Sequence, residues 1–440
     1  MIPGILQLNS KTIYGLTSRN VPIYRFKPLN TNLPDHLVGC SLKDRTKNMI
    51  ALVQKSEEQR TNLIRLIGPC GDLKSEKEGL LLQHSSLNWK KFDDSNLVYP
   101  KDERRMVNGF TFNIDPEGCV DIDDTITIGF DGYVYITIAD VATWMVSNPD
   151  LFSTASKIGQ TLYENGKVVS PLLPIEKHCS LFPNQERLGV ALKFKWKTNA
   201  ISDIEFEKVK IINNQSFTYD SIYKSTYSNI IKRISSYLAG RELNDSHEWI
   251  EQLMIFYNCE AAKLLVNKKQ GILRTQDPPE IEKINHYKNF VTDLSYLANK
   301  AAKYVHAHTE SKHWGLSKDI YCHASSPIRR FSDIVNQMVI CDYKIPQYDV
   351  DELNKLQKDG KKYERDLFFL EKLLETENRS VEGIVLNDHR VWVPEWKRII
   401  TCKNSFTSGT TGILKYSLDM NQPTWKRRMV FKFEDTNCQE

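Results

Sequence analysis

The sequence predicts an α+β protein built as a small β domain, a large mixed domain and a small β tail. Three observations predict it. Short apolar runs broken by turn residues fill the first hundred positions. The middle passes from alternating strands to long stretches with helical spacing. After Asn378 the pattern returns to short strands. The 440 residues leave room for roughly three domains at about 150 residues each.

In chain order, residues 21–26, 49–53 and 63–67 read as strands, the last ending at Gly68-Pro69, and short strands at this spacing suit a small β-barrel. Residues 74–85, with Glu76, Leu80 and Leu81 spaced by turns, read as a helix, and 90–105 as a hydrophilic link. Ile126, Ile128 and Phe130 alternate onto one face of a strand over 125–130. Asp131-Gly132 signals a hairpin, and Val134, Ile136 and Ile138 repeat the alternation over 133–139. Ile250, Leu253, Met254, Tyr257 and Ala261 have helical spacing over 249–266, with Asp245 and Glu248 as a capping box. Leu294, Leu297, Ala301 and Tyr304 predict another helix, and 353–374 a long one weakened at Gly360. Residues 381–386 and 391–393 are strands again. The division this implies is 1–92, 93–378 and 379–440.

Composition narrows the function classes. Hydrophobic residues make up 40% of the chain, enough for a sizeable core, and the net charge is only +4, so any nucleic-acid surface must be local. Nine scattered cysteines, with no C-x-x-C pair and no H-E-x-x-H, point to reduced thiols without a disulfide framework or a zinc site. The first residues lack the features of a signal peptide, and no apolar run approaches the ~18 residues of a membrane span. A soluble, intracellular protein without a membrane partner is expected, with cytoplasm and nucleus left open.

The most informative stretch is Asp115-Pro116-Glu117-Gly118-Cys119-Val120-Asp121-Ile122-Asp123-Asp124, four aspartates directly before the hairpin. In a straight strand Asp121 and Asp123 would share a face and Asp124 would oppose them, but Pro116 and Gly118 suggest a bent loop that turns several carboxylates inward. Two carboxylates ~4 Å apart repel by about 4 kcal/mol at an effective dielectric of 20, so a packed cluster needs protons or a cation. Oxygen ligands of this kind suit Mg²⁺ or Mn²⁺ and metal-assisted phosphodiester hydrolysis. A solvated acidic turn is the plainer alternative. The D-x-D-x-D-G order of a calcium loop is absent.

A second constellation is Tyr321-Cys322-His323-Ala324-Ser325-Ser326-Pro327-Ile328-Arg329-Arg330-Phe331-Ser332-Asp333. Ser326 reads as an N-cap and Pro327 as the first helical residue, which puts Arg329 and Arg330 in the first turn, where cations oppose the helix dipole. A phosphate there would relieve the conflict. Pairing with local acids such as Asp333, or exposure to water, would also relieve it.

Taken together, the two stretches resemble the ribonuclease II (RNB) family. Its catalytic loop, an Asp, five residues and then D-x-D-D, is matched by Asp115, Asp121, Asp123 and Asp124. Its Tyr-x-His-x-Thr-Ser-Pro-Ile-Arg-Arg-Tyr-x-Asp run is matched by Tyr321 through Asp333, with Ser325 for Thr and Phe331 for Tyr. Ala139-Asp140-Val141 with Trp144, Tyr163, Cys179-Ser180-Leu181, Thr218-Tyr219-Asp220 and Ile250-Glu251-Gln252-Leu253-Met254 follow the family's order, and the resemblance covers residues 110–375. It implies a central RNB catalytic domain flanked by small OB-type β-barrels. The first barrel carries Gly4-Ile5-Leu6, Tyr14-Gly15 and Tyr24-Arg25-Phe26. The last is short or divergent, with Trp392, Trp396 and Trp425 among basic residues. Such aromatics serve either an RNA surface or the barrel core.

The resemblance also implies an activity. The expected protein would be a magnesium-dependent (or manganese-dependent) 3′-to-5′ exoribonuclease, a monomer that hydrolyses single-stranded RNA to 5′-nucleoside monophosphates. Asp115 and Asp124 would be the direct metal ligands, with Asp121 and Asp123 completing the site. Arg329 would neutralise charge on the phosphate. Tyr163 would stack on a base, Tyr219 would lie beside the terminal nucleotides, Glu251 would contact the ribose, and Ser326 and Arg330 would adjoin the substrate. Three departures stand out: room for only one N-terminal barrel, a shortened stretch between Tyr219 and Trp249, and Gln337-Met338 in place of the family's His-Arg pair. Two rival readings are a catalytically silent RNA-binding protein on the same fold and a phosphodiesterase acting on DNA.

Overall fold

The computed structural model describes residues 1–55, 61–85, 94–101, 103–291, 294–372, 379–402, 404–419, 422 and 424–435. The expected boundary at 92/93, residues 90–93 and 102 of the 90–105 link, the last positions of the 353–374 helix and the residue before the 378/379 boundary lie outside the described residues. The chain divides into two compact units, one of residues 87–278 and 300–358, the other of residues 1–86, 279–299 and 359–440.

The first unit is built on a six-stranded sheet. Its spatial order is Ala200–Ile212, Glu186–Lys197, Tyr133–Ala139, Asp124–Gly129, Gly109–Ile114 and Gln215–Phe217, antiparallel except for the last pair. Both faces are covered, because alternate side chains of one strand enter two different cores. Val134, Ile136 and Ile138 pack with Phe112, Ile126 and the helices Ser228–Ala239 and Ser246–Lys268. Tyr135 and Ala139 pack with Trp144, Phe152 and the helices Pro149–Ile158 and Phe331–Ile340. The period-two rule therefore sorts residues between two buried layers here. Phe130 departs from its expected face: the strand ends at Gly129, and Phe130 sits 84% exposed in the turn.

Two further expectations are corrected. Of the helix drawn through Leu294 to Tyr304, only the short Ser295–Ala298 segment is helical. Tyr304 lies instead in the strand Lys303–His306, opposite Arg274 of Ile272–Thr275. Cross-strand pairing overrides the local spacing there. The helix after the arginine pair begins at Phe331 with Arg330 as its N-cap, not at Pro327. Arg330 is drawn into extended geometry (φ −134°, ψ 128°) by an antiparallel bridge to Gln160. The cap at Asp245 is present, but its carboxylate accepts from the His247 N–H, while Glu248 pairs with Arg241 at 2.6 Å.

The other unit holds two curled five-stranded antiparallel sheets of the OB type. One orders His36–Gly39, Ile23–Pro28, Ile2–Leu6, Met49–Lys55 and Thr61–Pro69. The other orders Arg398–Thr401, Arg390–Val393, Ser380–Asn387, Thr411–Leu418 and Met429–Asp435. The helix Leu73–His84 follows the first. A buried ion pair, Glu76 to Arg428 at 2.7 Å, ties that helix to the chain entering the last strand. Tyr24 and Phe26 are core, as are Trp392, Trp396 and Trp425, while Tyr14 remains 46% exposed. The fold is thus α+β, a central mixed domain with flanking OB-type barrels. The eight described cysteines are free, and no described helix is long and apolar enough to cross a membrane.

Candidate active site

The aspartate loop joins two neighbouring strands, and each bend has an identifiable tie. Asp115 follows Gly109–Ile114, and its N–H donates to Phe217 O at 3.0 Å, continuing the parallel pairing. A turn closes from Cys119 N to Pro116 O, with Gly118 at φ +77°, a left-handed position that suits glycine. Ile122 is buried and tied twice: its N–H donates to Ser180 Oγ at 3.0 Å and its carbonyl accepts from Leu181 N at 3.0 Å. Asp123 O then accepts from Ala139 N, and Asp124 enters the next strand opposite Ile138.

The four carboxylates have different partners. Asp115 accepts from Asn113 Nδ2 at 2.8 Å, and Asp121 from the Tyr163 hydroxyl. Buried Asp123 accepts from Ile328 N at 3.1 Å and Arg329 Nε at 2.9 Å. The Asp124 carboxylate has no hydrogen bond or ion pair among the described residues. Burial, opposed by Asn113 and Arg329, raises Asp115 above the ordinary carboxylate range. Burial pushes Asp123 up to about 7 despite Arg329. Asp124 is raised well above the ordinary range, by burial first and then by the charges of Asp115 and Asp123.

The arginine segment reaches the loop from the far end of the chain. Arg329 and Arg330 N–H groups both turn back to Ser326 O, and Ser326 N donates to Asp333 Oδ1 at 2.8 Å. The two arginines part here. Arg330 is committed to buried Asp333 at 2.8 Å. Arg329 binds Asp123, is braced by Ser326 Oγ at 3.0 Å, and leaves 48% of its side chain exposed. Thr161 N donates to Arg329 O, which carries the following strand Leu162–Glu164, and so Tyr163, to Asp121. Tyr219, two residues beyond the strand beside Asp115, has its hydroxyl pushed up to about 12 by burial and then by the charges of Asp115 and Asp124. Its ring lies on the His247 imidazole at 3.8 Å and 12°.

The structure therefore gathers Asp115, Asp121, Asp123, Asp124, Arg329, Tyr163, Tyr219 and Ser326. It does not bring in Arg330, or Glu251, which is exposed on its helix without a contact to the loop among the described residues. Several supporting residues were not singled out in the sequence. Asn113 was findable, because position i−2 on a strand shares a face with Asp115. Ser180 stood in the Cys179-Ser180-Leu181 match, though its tie to Ile122 was not legible there, and His247 carries no local signal, since only tertiary contacts bring it in. The same holds for Asn258, whose amide holds Tyr321, Ala324 and Ser325 ahead of the arginine turn.

No group of three or more His, Cys, Asp or Glu among the described residues stands ready to hold a metal ion. Asp121 and Asp123 are occupied by Tyr163 and Arg329. Asp115 and Asp124 nevertheless fit a divalent cation. Burial raises both, the charge of Asp115 adds to the rise at Asp124, and the Asp124 carboxylate has no hydrogen bond or ion pair among the described residues. Mg²⁺ commonly takes only one or two carboxylates and completes its shell with water and phosphate oxygens.

The model of the RNB domain matches residues 103–236 and 228–344, together more than half of the chain. Ribonuclease R of Buchnera aphidicola is 24% identical over 343 residues, covering 57% of this chain and 47% of its own length. The chain spans about half the length of the curated relatives it matches. In fold it is similar to Mycoplasma genitalium RNase R. The apo form has a TM-score of 0.75 at 16% identity, covering 98% of this chain and 90% of that one. The complex with ribose methylated single-stranded RNA has a TM-score of 0.69 at 16% identity, covering 98% and 100%. Yeast Ssd1, a pseudonuclease, also matches in fold, with a TM-score of 0.64 at 15% identity over 94% of this chain and 66% of its own. On the extent of the RNB match and the two motifs within it, the chain belongs to the RNB domain family.

Proposed function

We propose that this chain is a magnesium-dependent 3′-to-5′ exoribonuclease, acting as a monomer on single-stranded RNA and releasing 5′-nucleoside monophosphates. The observation that carries the reading is the pair Asp115 and Asp124, two half-buried carboxylates with raised proton affinity beside a half-exposed arginine. Repulsion of this kind is tolerable when a cation sits between the groups. Asp115 and Asp124 would hold it, with Asp121 and Asp123 bordering the same space. Manganese would fit the same oxygen donors. When bound, such an ion supplies Lewis-acid polarisation of a phosphoryl oxygen.

The chain's own residues do the rest. Asp123 and Ser326 hold Arg329 so that its free N–H groups face the substrate phosphate and stabilise charge as it grows. Tyr163, oriented through Asp121, and Tyr219, seated on His247, offer ring surfaces to the terminal bases. Glu251 would contact ribose from the neighbouring helix. Ser326 supports binding through Arg329, and Arg330 supports it by fixing the turn on Asp333. The division 1–92, 93–378 and 379–440 belongs to this reading.

The experiment is to incubate 5′-labelled single-stranded RNA and its deoxyribose counterpart with Mg²⁺. Stepwise shortening of the ribose strand alone is expected. Internal cuts, or cleavage of DNA, would sink the proposal. Retarded but intact RNA would favour the second reading, a catalytically silent RNA-binding protein. That reading draws on the likeness to pseudonuclease Ssd1 and on the occupied oxygens of Asp121 and Asp123.

A further inference from the structure

A second concave site lies in the same unit, lined in part by the segment that ties down the aspartate loop. It is a cavity of about 790 Å³, within the range of small-molecule sites. Aromatic rings form one wall. Trp144 stacks on His178 with centroids 5.5 Å apart at 24°, and Tyr99 meets both edge-on at 5.3 and 5.4 Å. Trp144 is buried, whereas Tyr99 keeps 55% of its surface exposed. Its loop is nonetheless fixed, since Asn148 both accepts from Val98 N and donates to Val98 O at 2.9 Å.

The remaining wall is cationic. Arg187 donates to Ser180 O, Glu186 O, Lys177 O and Gln185 Oε1, all neutral acceptors, and makes no ion pair among the described residues. Arg104, Arg330 and Arg428, by contrast, each have a carboxylate. Burial lowers the proton affinity of Arg187, as expected for a cation short of a counter-charge. Lys101 also lines the cavity and makes no ion pair among the described residues, while Lys210 is paired with Glu186 at 2.9 Å. Glu103 lines it too, so three cations face two carboxylates.

An open aromatic face beside unpaired cations is the chemistry that holds a base and its phosphate together. We propose that this cavity binds a phosphorylated nucleoside, with the base on Tyr99 and the phosphate at Lys101 and Arg187. Two motif residues that the aspartate site leaves unused, Trp144 and Cys179, line it. Ser180 connects the two sites: its carbonyl accepts from Arg187 Nε and its hydroxyl from Ile122 N. Neither the cavity nor its ligand depends on the nuclease reading.

The test uses the full chain carrying Asp124→Asn, with adenosine 5′-monophosphate titrated calorimetrically. Saturable binding is expected, weakened at least tenfold by Lys101→Ala and by Tyr99→Ala, and at least tenfold weaker for adenosine or inorganic phosphate alone. Both substituted side chains are exposed, so the variants should fold, and a thermal melt checks this. Arg187→Ala risks misfolding because it strands four acceptors, and the test does not rest on it. Displacement of the nucleotide by hexaadenylate would identify the ligand as part of an RNA strand, and failure to displace would identify a free nucleotide. Absent binding at millimolar nucleotide, or binding indifferent to both variants, overturns the proposal. Neither result bears on whether the wild-type chain shortens RNA.

Discussion

Across 206 positions of sequence, the Asp123 carboxylate accepts a hydrogen bond from Arg329 Nε at 2.9 Å, and the two ends of this contact differ in exposure. Asp123 is 2% exposed and Arg329 48%. Removing the arginine therefore strands a buried charge. Arg329→Ala should lower stability by about 2–4 kcal/mol, less than a fully buried pair because water reaches one partner. Adding Asp123→Asn should restore part of the loss by removing the stranded charge. Denaturant melts of both single variants and the double variant measure the coupling, and a double variant no more stable than Arg329→Ala would contradict it.

Asp124 has the opposite character. Its carboxylate carries repulsion without a partner, so Asp124→Asn should leave the melting temperature equal to or above that of wild type when no divalent ion is present. Cleavage should nevertheless fall by about a thousandfold, on the order of 4 kcal/mol of transition-state stabilisation. RNA binding, followed by fluorescence anisotropy, should be largely retained. A variant that loses binding and cleavage in equal measure would argue against this assignment.

A cation at Asp115 and Asp124 should be visible without any turnover. Mg²⁺ at a hundred times its dissociation constant should stabilise the wild-type chain by about 2.7 kcal/mol. Chelator should reverse this, and Asp124→Asn should show neither effect. Calorimetric melts with and without Mg²⁺ give the comparison directly.

Gln337 holds a chain reversal rather than a ligand. Its Oε1 accepts from Val141 N and Ala142 N at 2.9 Å, and its Nε2 donates to Ala139 O at 2.8 Å, all buried. Val141 N also donates to Ala139 O at 3.1 Å, so Gln337→Met keeps the volume but removes the Ala142 N side-chain partner and weakens the other two groups, a loss of about 1–3 kcal/mol. Chemical denaturation should register it as a lower midpoint with an unchanged slope.

Acid sensitivity should trace partly to His323. Burial, then the charges of Arg330 and Arg274, hold its imidazole well below the usual histidine range. The folded chain keeps it neutral, whereas the unfolded chain protonates it near pH 6.5. Its contribution is thus complete above about pH 6.5 and is lost as pH falls below that value. His323→Gln should flatten the slope of unfolding free energy between roughly pH 6.5 and 5. An unchanged slope in pH-stepped melts would count against it.

Where the sequence was readable, the local signal and the tertiary demand agreed. Residues 133–139 alternate as written, and Asp245 caps its helix. Asp115, Pro116 and Gly118 bend the loop as their types require. It was unreadable where a distant partner overruled local preference. Gln160 draws Arg330 out of the helix that Ser326 and Pro327 announce. Arg274 pairs Tyr304 into a strand despite its helical spacing. The four aspartates could be grouped from sequence, but their division of labour could not. That division depends on Tyr163 and Arg329, which lie 42 and 206 positions from Asp121 and Asp123.

The double tie on Ile122 limits how this loop can change. Its N–H and carbonyl are both fastened to Ser180-Leu181, and Asp121 and Asp123 flank it on either side. An inserted residue between Asp121 and Asp124 would exchange which carboxylate meets Tyr163 and which meets Arg329. One added between Pro116 and Cys119 would only lengthen an outward turn. Length variation among engineered versions of this loop should therefore survive at the glycine end and fail at the aspartate end.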